Sequence, residues 1–110
     1  MKIELKLTAP QLAYLGMRFD AFCEQNKRRF PVLDRRSKAA FTIAQDVADK
    51  LHSKVRILNR GTPKKSYKIT FKYHEAHSVQ YFVMSDKDNN SDNYIRTLAQ
   101  NIFLELDPKL

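Results

Sequence analysis

"YKITFKYHEAHSVQYFVMS", residues Tyr67 to Ser85, is the stretch on which the fold turns. Its first half alternates without error, Tyr67, Ile69, Phe71 and Tyr73 against Lys68, Thr70, Lys72 and His74. Its second half alternates too, Val79, Tyr81 and Val83 against Ser78, Gln80, Phe82 and Met84. This is the period of strands with one buried face, and the polar step "HEAH" between them supplies a turn. The expectation is a β-hairpin.

The facing of that hairpin decides what its two histidines can do. A two-residue loop at Glu75-Ala76 would pair His74 with His77 and send Val79, Tyr81 and Val83 to the wrong face. The apolar pattern therefore demands an odd-numbered loop, because a slip of one residue flips every side chain. The histidines then part, and ligands that point apart cannot share one zinc ion. No metal site and no cofactor are expected. His74 stays beside Lys72 as a pH-sensitive addition to a basic surface.

Working outward, Lys2 to Leu7 alternates as a strand with Ile3, Leu5 and Leu7 on its buried side. "LTAPQL" then reads as a helix start: Thr8 and Gln11 form a capping box, Leu7 and Leu12 a hydrophobic staple, and Pro10 falls in the first turn. Leu12, Leu15, Phe19, Phe22 and Cys23 share one face of that helix, which stops before Pro31. A second helix from about Arg35 carries a small-residue stripe at Ala40, Ala44 and Ala48, with Gly16 of the first helix as its opposite number. The two form an antiparallel pair joined by "FPVLD", with Asp34 or Ser37 as cap. "KVRIL" continues the helical face, the preferred reading, although it also suits a short strand. After the polar run "SDKDNNSDN", Ser91 caps a last helix with Ile95, Leu98, Ile102 and Leu106 on its inner face.

The expected architecture is one α+β domain spanning residues 1–110, in β-α-α-β-β-α order. A three-stranded (with "KVRIL", four-stranded) antiparallel sheet is covered by helices on one face. A chain of 110 residues, 43% hydrophobic, can bury a core without disulfides, and its one cysteine, Cys23, permits none within the chain. The N-terminus lacks the apolar run of a signal peptide, and no stretch approaches a membrane span, so a cytoplasmic protein of bacterial or phage type is expected.

Charge carries the functional reading. The net charge is +8, and residues 31–65 hold nine basic and three acidic side chains. "NKRRFPVLDRRSK" gathers Lys27, Arg28, Arg29, Arg35, Arg36 and Lys38 around the turn between the two long helices. The last three place positive charge at a helix start, where free N–H groups already favour anions. Arg56, Arg60, Lys64 and Lys65 make a second group, roughly 30 Å away along an unbroken helix. The leading expectation is a small non-catalytic accessory protein gripping the phosphates of DNA or RNA through this junction. The alternative is a protein-interaction module or homodimer that uses the outer sheet face, where Lys68 and Lys72 stand near Phe82 and Met84.

Other motifs read as structure. Cys23 lies on an apolar face as an inert thiol. Asp86, Asp88 and Asn90 alternate as in a calcium loop, but Ser91 and Thr97 replace its glycine and its bidentate glutamate. Asp46, Asp49 and His52 drift around a helix, with Asp46 paired to Lys50. There is no P-loop, dinucleotide fingerprint or nucleophile elbow.

Overall fold

The computed structural model describes residues 2–60 and 66–110, with backbone alone for 56–60. Strand β1 (Lys2–Leu7) leads into α1 (Ala9–Lys27), a 3-10 turn at Phe30–Val32, and α2 (Arg35–Arg60). Strand β2 (Tyr67–Lys72) leads into α3 (Tyr73–Asn89), α4 (Asn93–Leu106) and a closing 3-10 turn. The order is β-α-α-β-α-α, two strand–helix–helix units in succession. Among the described residues the sheet has two strands, β1 and β2, antiparallel with Ile3 opposite Phe71 and Leu5 opposite Ile69.

The expected hairpin is therefore wrong. Only its first half, Tyr67–Lys72, is a strand. From Tyr73 onward the chain is helical, and its buried side chains Ala76, Val79, Phe82, Val83 and Asp86 recur every three or four residues. No loop separates β2 from α3, because Glu75 does what a turn would do. Its carboxylate accepts the N–H of Lys72 at 2.7 Å, satisfying a donor left open at the helix start. The same carboxylate takes Lys50 Nζ of α2 at 2.6 Å and is 2% exposed. Lys50 also donates to the Thr70 carbonyl, so one lysine ties α2 to the free edge of β2 and to the start of α3. It does not pair with Asp46 as the spacing suggested.

The other elements follow their sequence signals. Thr8 and Gln11 exchange the two hydrogen bonds of a capping box at α1. Asp34 caps α2 by accepting the Ser37 N–H at 2.7 Å. Asp92, rather than Ser91, caps α4 through the N–H groups of Tyr94 and Ile95. The helices α1 and α2 run antiparallel, with His52 against Asp20 at 2.6 Å and Gly16 facing Val55. A Cβ on Gly16 would meet Val55 at 3.9 Å, an ordinary contact, so the glycine is not there to admit a close helix. "KVRIL" belongs to α2 and not to a strand.

The inner sheet face, Ile3, Leu5, Leu7, Tyr67, Ile69 and Phe71, is buried under the helices with Leu12, Leu15, Phe19, Val47, Leu51, Ile102 and Leu106. A second buried carboxylate, Asp86, accepts the Tyr14 hydroxyl and lies 3.1 Å from Arg18 Nε, bonding the end of α3 to α1. Burial, reinforced by that carboxylate, pushes the Tyr14 phenol well above its ordinary range. No helix among the described residues is long and apolar enough to cross a membrane.

Candidate functional site

Three segments enclose a cleft of about 650 Å³: the end of α1 with the junction that follows, the first turns of α2, and the first half of α3. Its floor is aromatic. Phe22 comes from α1, Phe41 from α2 and Phe82 from α3. Phe82 sits edge-on to both Phe19 and Phe22, each at 4.9 Å between ring centroids, and the Arg18 guanidinium covers it at 4.8 Å. It is 6% exposed.

One wall is cationic. Arg29 and Arg36 flank the opening, both exposed, and neither forms an ion pair among the described residues. The remaining junction cations divide. Lys38 lies over Phe30 at 5.5 Å, and Phe30 in turn packs on Phe41, so this lysine backs the wall rather than lining it. Lys27, Arg28 and Arg35 are exposed outside the cleft.

The α2 start differs from the open anion site expected there. The Asp34 carboxylate is already seated on it, held below its usual pKa first by the Ser37 N–H, then by the Ser37 hydroxyl, with Arg36 adding its charge. The helix terminus is therefore not vacant, and the exposed cations lining the cleft beside it are Arg29 and Arg36.

The opposite wall comes from α3, where the residues dismissed as a hairpin tip reappear. A helix places His74, His77 and Tyr81 at positions i, i+3 and i+7, on one stripe, and all three line the cleft with Ser78. The histidines do not part; they share a wall. The His77 ring packs edge-on to Tyr73 at 4.5 Å, and Tyr81 packs edge-on to Phe82 at 5.5 Å, which leaves Tyr81 65% exposed. The spacing of three in "HEAH" was the available signal. The hairpin reading concealed it.

The expected outer-face cluster is dissolved. Lys68 and Lys72 do lie on the exposed sheet face, but Phe82 is in the cleft floor and Met84 is on the outside of α3. The far edge of β1 is also occupied: Lys6 N–H donates to Glu105, and Lys109 Nζ donates to the Glu4 carbonyl. With Lys50 on the Thr70 carbonyl, both edges carry side-chain partners. Of the second basic group, Lys64 and Lys65 lie outside the described residues, as do the side chains of Arg56 and Arg60.

Two weaker motifs resolve as structure. Cys23 is half-buried and unbonded, its pKa raised by burial and by Asp20, Asp49 and Glu24 nearby. Asp86 faces Tyr14 and Arg18, Asp88 pairs with Lys87, and the Asn90 side chain accepts the Asp92 N–H, so the trio does not converge. Among the described residues no three His, Cys, Asp or Glu side chains could hold a metal ion together.

No family model, curated protein or solved structure matches this chain significantly. The cleft must be read from its own chemistry.

Proposed function

We propose that this protein is a small non-catalytic accessory protein that binds nucleic acid, with the α1–α2–α3 cleft as its contact site. One observation carries the reading: exposed Arg29 and Arg36, neither within 4.0 Å of a carboxylate oxygen among the described residues, stand at a concavity floored by aromatic rings. Phosphodiester chains present that pair of chemistries together, anionic groups that arginine binds with two parallel hydrogen bonds and flat bases that stack. Lys27, Arg28 and Arg35 extend the positive field around the same turn and draw the polyanion in. Residues 31–65 hold three-quarters of the net charge, which favours a polyanion over a neutral partner.

Fluorescence anisotropy with labelled DNA and RNA oligonucleotides at two salt concentrations tests this. Binding is expected at low salt, with log K falling linearly against log salt as counterions are released. No binding to either at micromolar protein and low salt would overturn it.

A further inference from the structure

We infer that the cleft receives an unpaired nucleobase, so that the nucleic acid recognised is single-stranded; this rests on the reading above and names its substrate class. A volume of about 650 Å³ lies within the range of small-molecule pockets, about 300–1,000 Å³, and exceeds what a lone phosphate would fill. The cations and the rings occupy different depths. Arg29 and Arg36 are exposed, whereas Phe41 and Phe82, which line the same cleft, are nearly buried.

A group that satisfies both must carry its charge at the mouth and its flat apolar face inward, as a nucleotide with an extruded base does. A duplex keeps its bases stacked and paired, so it can reach the arginines but has nothing to place on the floor without the cost of unstacking. Tyr81 is the surface on which an entering base would lie. Phe82 braces it at an interplanar angle of 82°, and the residue, which lines the cleft, remains largely exposed. His77, braced in the same manner by Tyr73, stands one turn away on the same stripe.

The test uses the full chain, a single-stranded 12-mer carrying 2-aminopurine, and the duplex of the same sequence. The expected result is about tenfold tighter binding of the single strand, with 2-aminopurine fluorescence changing on binding. Tyr81→Ala is expected to lower single-strand affinity about tenfold while leaving duplex affinity and the salt slope unchanged. Tyr81→Phe is expected to restore it, because stacking needs the ring and not the hydroxyl. Tyr81 is largely exposed, so a thermal melt should show both variants folded. Equal affinity for the two strands with silent 2-aminopurine overturns the inference and leaves the nucleic-acid reading standing. Absence of binding to both at low salt overturns the two together.

Discussion

The cleft and the outer face of the sheet are both cationic, yet they differ in shape and in what stands beside the charge. In the cleft, two arginines ring a recessed aromatic floor. On the sheet, Lys2 lies opposite Lys72 and Lys6 opposite Lys68, with Glu4 the sole carboxylate on that face and 4.0 Å from Lys68. Like charges directly across a ladder work against the sheet, and among the described residues neither strand places an aromatic side chain on that face. Charge alone therefore does not locate a site. What separates the two regions is concavity, and the presence of rings beneath the charge.

The largest expected effect sets the regions against each other directly. Arg29→Glu with Arg36→Glu should weaken oligonucleotide binding at low salt by about 30-fold or more, since each arginine loses a charge-assisted bond. The salt slope should also fall by about 1.4, at about 0.7 per single-strand phosphate contact. Lys2→Glu with Lys68→Glu, the same change in net charge, should cost about threefold or less, as exposed lysines contribute little locally. Anisotropy titrations of the two variants measure this, and equal losses would erase the distinction.

Glu75 joins the regions, because its carboxylate holds the end of β2, where Lys72 points outward, to the start of α3, where His74 faces the cleft. Glu75→Ala should destabilise the fold by about 2–3 kcal/mol, measured by urea denaturation, by removing hydrogen bonds that involve charged groups. The acid limb should change with it. Burial pushes the Glu75 carboxyl up, but the Lys50 and Lys72 hydrogen bonds and the Lys50 and His74 charges outweigh it and hold the pKa below its ordinary 4.5. A carboxylate lowered on folding stabilises above its unfolded pKa, so this contribution is complete above about pH 4.5 and is lost as pH falls through the lower folded value. The Ala variant should lack that component of acid denaturation.

Tyr14 sharpens the comparison at the other end of α3, where its hydroxyl and Arg18 meet Asp86 and Arg18 covers the cleft-floor ring of Phe82. The phenol is raised on folding, so its stabilisation is complete below its ordinary 10.0 and fades as pH rises towards the higher folded value. Tyr14→Phe should reduce stability by about 1 kcal/mol near neutrality and flatten the alkaline limb above about pH 10. A smaller effect has the opposite sign. Lys72→Thr removes a like-charge pair from the sheet and places a β-branched residue in a strand, raising stability by about 0.2–1 kcal/mol in a thermal melt.

How much of this was legible in sequence depends on where each element finds its partners. The strand at Ile3, Leu5 and Leu7, the Thr8–Gln11 cap and the α4 stripe of Leu98, Ile102 and Leu106 are set by local pattern, and they fold as that pattern reads. Tyr73–Asn89 failed because Tyr73, Val79, Tyr81 and Val83 satisfy a period of two while Ala76, Val79, Phe82 and Val83 satisfy a helix. The choice is made by distant residues. Lys50 bonds Glu75 from α2, and Tyr14 bonds Asp86 from α1, and neither pairing leaves a mark within the segment itself. Arg29 and Arg36 were visible as charge around a turn, but the wall facing them was not, because His74, His77 and Tyr81 form a stripe only once the segment is helical.

The most direct test of a cleft site is a titration of ¹⁵N-labelled protein with a single-stranded oligonucleotide, followed amide by amide. Shift changes should cluster at Arg29, Arg36, Ser37, His77 and Tyr81, with Lys2, Lys6, Lys68 and Lys72 nearly still. Changes concentrated on those four lysines, with the cleft amides unmoved, would contradict the account.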